Sequence, residues 1–388
     1  MAKQFIPAAD LDFHSYKDSL KTFLKGQSQF KDYDFEGSNL AVLIDLLAYN
    51  AYNQAHYLNM VGSEMFLDSA QIRATIVSHA KELNYTPRSS ISARMNVQVE
   101  IFPNTAVQSI TIPKNYAFKT AIASGETISF LTDQPIIIRK DTLGRYISDT
   151  ITVFEGISVD EVFDVAPVNN DGTNVTYNQR FVLQSENIDI TSLTVNVRSS
   201  ADDLTPVTYS RANDLFGLSP ISEIYFVRGY GSNQYEIEFG DGVLGAALST
   251  GNVVEVNYRD TIGVRGNGRF IVSKSGSIDD QSDIILTTLT TATGGADRES
   301  DESIKYNAVR HFQAQNRAVV EDDYETLIRI NFPEIQQVNV YGGELVYMYG
   351  KVMIVLKPYD INGSVEQNVK DRVVAYLKQK NIVPEPII

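Results

Sequence analysis

Asn39-Leu40-Ala41-Val42-Leu43-Ile44-Asp45-Leu46-Leu47-Ala48-Tyr49-Asn50-Ala51-Tyr52 is the most apolar run in the chain, and its reading decides how the first quarter folds. Ser38 precedes it, and a serine hydroxyl there can accept from a free amide of the first helical turn. A helix is therefore predicted from Asn39 to about Val61, about 35 Å long at ~1.5 Å rise per residue. Its apolar side chains go nearly all the way round, and a helix apolar on every side must be covered on every side. Leu40, Leu43, Ile44, Leu47, Tyr49 and Tyr52 are the candidate assembly residues. Asp45 and Asn50 interrupt the run, so it falls well short of the ~18 consecutive apolar residues of a membrane span.

Two further helices flank this one. Leu11, Phe13, Tyr16, Leu20, Phe23 and Leu24 recur mostly at three- and four-residue steps before Gly26, the pattern of an amphipathic helix. A third helix is expected over about Met65–Leu83 and stops at Asn84-Tyr85-Thr86-Pro87, because proline disfavours helix in the residue before it. Two readings of the apolar surplus stand side by side. The three helices can bury it among themselves, or other chains can complete the bundle. Tyr49, Tyr52 and Tyr57 on an already saturated helix favour the second, since tyrosine is common at interfaces.

Beyond Ser92 the period changes to two. Met95-Asn96-Val97-Gln98-Val99-Glu100-Ile101, Ser109–Ile112, Thr194–Arg198, Tyr235–Phe239 and Val253–Tyr258 alternate as half-buried strands do. Turn signals at Asn170-Asp171-Gly172, Gly229-Tyr230-Gly231 and Gly240-Asp241-Gly242 separate them, and Ile136-Ile137-Ile138 reads as a fully buried strand. One large or two small all-β domains fit roughly a dozen strands. After Thr293-Gly294-Gly295-Ala296 helices are expected at about 301–315, 321–331 and 364–379, with strands near 336–341 and 347–357. The fold class is α+β multidomain. A helical assembly region covers 1–90, a large β-rich middle 91–292, and an α+β domain 293–388. The apolar end Pro384-Glu385-Pro386-Ile387-Ile388 suggests a last domain that is cut short.

Composition bounds the function. The 388 residues carry 33 Lys+Arg against 48 Asp+Glu, a formal charge of −15, which argues against a phosphate-neutralising nucleic-acid face. Zero cysteines remove thiol nucleophiles, thiolate metal sites and disulfides, and fit assembly in a reducing cytoplasm. The start has no apolar core of a secretory signal, so a soluble, unexported chain is expected.

Catalytic and metal-binding constellations are sought without success. His14, His56, His79 and His311 do not pair at metal-ligand spacing, and neither a nucleophile elbow nor a P-loop occurs. Gly240-Asp241-Gly242-Val243-Leu244-Gly245 resembles a phosphate cradle but lies between strands, so it is read as a hairpin with glycines at positive φ. Glu236, Glu238 and Asp241 have a geometry that permits a carboxylate pair of a glycoside hydrolase, but nearly any acidic β-protein offers such a pair, and a solvated strand face is the reading preferred. Asp297-Arg298-Glu299-Ser300-Asp301-Glu302-Ser303 is read as a helix start, with Ser300 or Asp297 as cap.

Three blocks carry a family resemblance. Phe239-Gly240-Asp241-Gly242-Val243-Leu244-Gly245 with Gly251, Val253–Arg259 (including Tyr258) and Gly263-Val264-Arg265-Gly266-Asn267-Gly268 resembles the signature of the baseplate J-like family. Gly294–Lys305 and Asn316–Tyr324 strengthen the match. Phe35–Asn50, with Met60, Glu64–Asp68 and Ser78–Tyr85, resembles the N-terminal region of the T4-type, iris-ring branch of baseplate wedge subunits. The resemblance implies a non-enzymatic virion part in the tail baseplate, assembled in the host cytoplasm, with no cofactor, no metal and no catalytic residue. It also implies paired copies, N-terminal helices bundled with another wedge subunit, and a ring around the hub that changes shape on sheath contraction. Sheath-initiator-type and clamp-type baseplate proteins are further implied partners, nucleic acid and membrane are not. Gly240, Asp241, Gly242, Gly245, Gly251, Tyr258, Gly263, Gly266 and Asn267 are then structural signature residues, and Gly294-Gly295 a candidate hinge. Relatives continue past the equivalent of Ile388, and Val320 stands where they often have a hydroxyl cap, a local cost of ~1 kcal/mol. The competing class is a tail-associated carbohydrate-active β-protein: a glycosidase using Glu236, Glu238 or Asp241, or an adhesin, for which exposed Trp is missing.

Overall fold

The computed structural model describes residues 9, 11–27, 29, 33–34, 38–103, 107–121, 127–170, 175–177, 179–212, 217–270, 273–274, 276–332, 335–358, 365, 367–380 and 385–387. The turn expected at Asp171-Gly172, the Phe35-Glu36-Gly37 part of the third block, and Pro384 and Ile388 lie outside these residues. The chain forms two compact units, 1–79 and 80–388.

The first unit is helical. Helix α1 spans Phe13–Lys25 with Asp12 as N-cap, and α2 spans Asn39–Glu64 with Ser38 Oγ accepting from the Ala41 amide at 3.0 Å. Helix α1 packs along α2, and Lys17 pairs with Asp45 at 2.6 Å. The third helix, α3, is Arg73–Glu82 and begins eight residues later than expected. The cause is local. Ser69 Oγ donates to the Ser63 carbonyl at 2.6 Å, and the Glu64 carboxylate accepts from the amides of Gln71 and Ile72 at 2.7 and 3.3 Å. These bonds hold 65–72 in turns, since side-chain acceptors compete with helical hydrogen bonding.

Among the described residues the second unit holds three main sheets, each over its own apolar cluster, and two two-stranded ones, so the mixed α+β class stands. The first has strand order Ser273–Lys274, Ala117–Ala121, Thr127–Thr132, Ile151–Glu155, Arg94–Ile101, Ile284–Thr288, with Tyr146–Ile147 also on Arg94–Ile101. It covers Met95, Val97, Val99, Phe118, Phe130 and Val153. The second runs Arg180–Val182, Gln234–Phe239, Ile224–Tyr230, Val207–Arg211, Ile188–Arg198, Val253–Asp260, Ile157–Asp164. It curls until its two edges approach: the Phe163 and Phe181 rings lie 5.2 Å apart, and the Gln184 amide donates to Glu161 at 3.0 Å. Val195, Val254, Val256, Ile237 and Tyr258 fill the curl.

The third sheet, Ile335–Gly342, Lys351–Pro358 and Glu385–Ile387, packs with α5 (Glu321–Asn331) and α6 (Gln367–Lys380), while α4 (Asp301–Ala314) precedes them. Two sequence expectations are corrected. Ile136–Arg139 is a strand, but it pairs only with Ser109–Ile112, and only Ile138 of its three isoleucines is buried. Gln234–Phe239 and Val253–Asp260 do not form a hairpin, because three strands lie between them. At ~4.8 Å per strand step that separation is about 19 Å, so 240–252 is a crossing loop.

Candidate assembly face and buried polar junction

Helix α2 has two faces of opposite character. Its buried residues are Ala41, Ile44, Ala48, Ala55, Asn59 and Ser63, mostly small and two of them polar. With 3.6 residues per turn these lie on one side. Val42, Leu43, Leu46, Leu47, Tyr49, Tyr57, Leu58, Met60 and Val61 are exposed on the other, Leu46 by 61 % and Tyr57 by 62 %. The helix thus turns its small side chains inward and its large apolar ones outward. Of the candidate assembly residues, Leu43, Leu47 and Tyr49 belong to the outer face, Leu40 and Tyr52 are half-buried, and Ile44, 2 % exposed, points inward. Sequence reasoning missed Val42, Leu46, Leu58, Met60 and Val61 as members of this face. Alternating three- and four-residue steps through Leu43, Leu46, Asn50, Asn53, Tyr57 and Met60 are the signal that finds this face.

The second feature is a junction in which carboxylates are buried. Residues 88–94 run antiparallel to 293–299, with Arg88, Ile91 and Arg94 bonded through their backbones to Glu299, Ala296 and Thr293 at 2.8–3.1 Å. This ladder continues into the pairing of Arg94–Ile101 with Ile284–Thr288. Side chains fasten the same segment to the second sheet: Lys81 pairs with Glu236, Thr86 Oγ1 donates to the Val227 carbonyl at 3.0 Å, and Tyr235 donates its hydroxyl to the Pro87 carbonyl at 3.0 Å. At its centre Glu299, 3 % exposed, accepts from the Tyr85 hydroxyl at 2.8 Å and the Arg88 amide at 3.0 Å. Ser303 Oγ and Asn307 Nδ2 of α4 donate to the same carboxylate at 2.6 and 2.7 Å. Burial, followed by the Glu299 charge, pushes the Tyr85 hydroxyl well above its ordinary value. Ser300, as expected, is the N-cap of α4, its Oγ accepting from the Ser303 amide.

The glycine-bearing blocks meet beside this junction. Gly263 (φ +61°) sits where a Cβ would stand 2.4 Å from Asp297 Oδ1, and the Val264 amide donates to that oxygen at 3.1 Å. Gly266 backs onto Ala93 and Glu155. Asn267 clamps Gly295 from both sides: the Gly295 amide donates to Oδ1 at 2.8 Å, and Nδ2 donates to the Gly295 carbonyl at 2.9 Å. Gly294 and Gly295, expected as a flexible link, therefore lie in a closed ladder, and a Cβ on Gly295 would come within 2.5 Å of the Gly263 carbonyl. In the crossing loop Asp241 Oδ1 accepts from the amides of Val243 and Leu244 at 2.9 and 2.8 Å, which lowers its pKa. Gly240 lies so close to Gly245 that a Cβ there would fall 2.3 Å from the Gly245 carbonyl carbon. Gly242, Gly245 and Gly251 have φ of +84°, +94° and +88°, where a side chain is strained. Tyr258 is buried and donates its hydroxyl to Glu161.

The residues considered for chemistry have structural employment. Glu236 is buried against Lys81, and Glu238 pairs with Arg180 and Arg228, each at 2.6 Å. Asp241 is held in its own turn. His79 Nε2 lies 2.9 Å from the Glu64 carbonyl, His56 is exposed beside Tyr57, and His311 packs on Tyr85, where burial lowers its pKa. Among the described residues no group of three or more His, Asp or Glu could hold a metal ion, and no helix is long and apolar enough to cross a membrane. Val320 has no side chain to cap α5. Asp323 Oδ2 compensates by accepting from the amides of Val319 and Val320 at 3.1 Å.

Residues 12–85 match the family described as baseplate wedge protein gp6-like, helical domain, and 320–388 match baseplate structural protein gp6, C-terminal domain I. Baseplate wedge protein gp6 of Enterobacteria phage T4 is 25 % identical over 353 residues, which cover 84 % of this chain and 50 % of that protein. The chain thus spans about half the length of that curated relative. Among solved structures, a chain of the anti-feeding prophage baseplate is similar over 99 % of this chain and 79 % of its own, at 13 % identity and a TM-score of 0.36. A chain of the type VI secretion system TssK-TssF-TssG baseplate subcomplex is similar over 87 % and 94 %, at 7 % identity and a TM-score of 0.39. Both likenesses are too loose to carry an argument. The block 239–268 lies outside both family-matched spans, while α2 lies wholly within the first.

Proposed function

The chain is a relative of the T4-type baseplate wedge proteins at both its ends, and from that premise we propose that it is a structural, non-enzymatic subunit of a contractile-tail baseplate wedge. Its place is the virion tail, where copies pair with each other and with other wedge proteins, sheath-initiator-type and clamp-type proteins included, in a ring around the hub. The outer face of α2 carries this reading. Nine large apolar side chains on one exposed helix face have no reason to be there in a chain that works alone. Each would contribute about 1.5–3 kcal/mol on full burial, enough in sum to offset an association cost of ~4–15 kcal/mol. The domain plan 1–90, 91–292 and 293–388 belongs to the same proposal, with the first region making contacts between chains. Movement at Gly294-Gly295 during ring rearrangement would first have to release the Asn267 clamp.

The test is the double substitution Leu43→Asp/Leu47→Asp in the full chain, co-expressed with the other wedge proteins. Both side chains are exposed, so the variant should melt like the parent, within about 0.5 kcal/mol. It should fail to enter a wedge that electron microscopy recognises with the parent chain. A normal wedge containing the variant would sink the proposal. Glycan turnover lost on Glu238→Gln would instead favour the carbohydrate-active class, although the two arginines on Glu238 already account for that residue.

A further inference from the structure

The outer face of α2 is not uniformly apolar. Leu43, Leu46, Asn50, Asn53, Tyr57 and Met60 follow a seven-residue repeat in alternating steps of three and four, flanked by Leu47, Gln54 and Val61. Its two ends are leucine, tyrosine, methionine and valine, and its middle is three amides. Gln54 Nε2 reaches Asn50 Oδ1 at 3.5 Å, and among the described residues no other hydrogen bond engages the three side chains. The inner face of the same helix shows an amide used differently. Asn59, 0 % exposed, accepts from the Ala9 amide at 2.7 Å and donates to the Ala9 carbonyl at 2.8 Å, which pins Ala9 at one position along α2.

We propose that Asn50, Asn53 and Gln54 form an amide layer that sets the register of α2 against α2 of a second copy of this chain, an inference that rests on the assembly reading above. The face itself favours a second copy as occupant. None of its nine residues is charged at neutral pH, so two chains of formal charge −15 can meet there without like charges in contact. A copy also brings the same apolar–amide–apolar order. In parallel pairing Asn50 meets Asn50. In antiparallel pairing about Tyr52, Leu43 meets Val61, Leu46 meets Leu58, Leu47 meets Tyr57 and Asn50 meets Gln54. Asn50 faces an amide in both, while Asn53 meets Asn53 in the first and Ala51 in the second. A slip of one repeat places Asn50 against Leu43 or Tyr57, where its donors and acceptors lose water without gaining a partner. A single polar layer in an apolar helix seam selects register at the expense of stability for this reason.

The absence of cysteine makes the test direct. Full-length chains carrying Leu40→Cys, Leu47→Cys or Tyr57→Cys are mixed, oxidised mildly, and the in-register disulfide dimers (40–40, 47–47 and 57–57 if parallel, 47–57 if antiparallel) are counted against those slipped by one repeat (40–47 if parallel, 40–57 if antiparallel). The in-register dimers should exceed the slipped ones at least tenfold with the natural amide layer. In the Asn50→Leu/Asn53→Leu/Gln54→Leu background dimers should persist, while that preference falls to within twofold. A preference still tenfold in the triple variant, no preference in the parent seam, or a parent chain that sediments as a monomer at every concentration overturns the proposal. The assembly reading fails on a different result, an intact wedge built from Leu43→Asp/Leu47→Asp chains.

Discussion

Helix α2 and the junction around Glu299 invert the same rule in opposite directions. In α2 leucines and tyrosines face outward while alanine, serine and asparagine are buried. At the junction a carboxylate is buried and four donors converge on it. The difference lies in where the partners are. Tyr85, Arg88, Ser303 and Asn307 belong to the same chain as Glu299, so its burial is complete within the fold. The outer face of α2 has no cover among the described residues, and on the proposed reading its burial awaits assembly. Residue type therefore does not set burial in either place. The supply of complementary groups does.

The hardest way to break this comparison is to remove Glu299. Glu299→Ala leaves four donors of the junction without an acceptor, and the expected loss is about 3–5 kcal/mol, read as a lower denaturant midpoint of the full chain. Tyr85→Phe removes one of those bonds and should cost only about 1–2 kcal/mol. Equal effects of the two substitutions would mean that the carboxylate is not the centre of the network.

The next test stays within one helix. Ile44→Ala and Leu47→Ala remove comparable side chains one turn apart. Ile44 is buried, so its loss should cost about 2–4 kcal/mol in the isolated chain. Leu47 is exposed, so its loss should stay within about 0.5 kcal/mol. The order should shift on assembly, where Leu47→Ala weakens wedge formation. If both destabilise the lone chain alike, the outer face of α2 is covered without a partner and the contrast with the junction disappears.

The sequence made α2 visible as a helix, because apolar density and the Ser38 cap are local signals. Its division into an occupied and an unoccupied face was harder to read, since an all-round apolar pattern states that cover is needed and not who provides it. The Glu299 network was hidden for a different reason. Its acceptor reads as one more acid at a helix start, and two of its donors lie more than 200 residues earlier. Only the spacing of Ser303 and Asn307, four and eight residues on, faintly marks it. The crossing loop was misread as a hairpin because strand neighbours in sequence are usually neighbours in space. Its glycines nonetheless occupy the positive-φ and close-packed positions that their spacing suggested.

A second buried carboxylate near the junction offers the finest test of the comparison. Glu155 is buried, and Thr261 Oγ1 donates to it at 2.5 Å. Its other neighbours are the Ile262 amide and the charges of Asp189 and Asp260, while Arg259, on Val253–Asp260 of the second sheet, pairs with Asp133 at 2.7 Å. Burial raises its pKa above the ordinary 4.5, because the charged form loses more solvation than its donors return. A raised carboxylate pKa in the folded state stabilises the fold fully below the unfolded value, and that stabilisation is lost as pH rises through the folded value. Glu155→Gln carries no such dependence, and the other titrating groups cancel when variant and parent are compared. The stability of Glu155→Gln relative to the parent should therefore be constant below about pH 4.5, rise in the variant's favour above it, and level off once Glu155 is ionised in the folded chain. Chemical denaturation of both proteins across that range reads the difference. A difference that falls with rising pH would show that Thr261 and Ile262 return more to the charged Glu155 than burial removes, and the contrast between a fully and a partly partnered carboxylate would be lost.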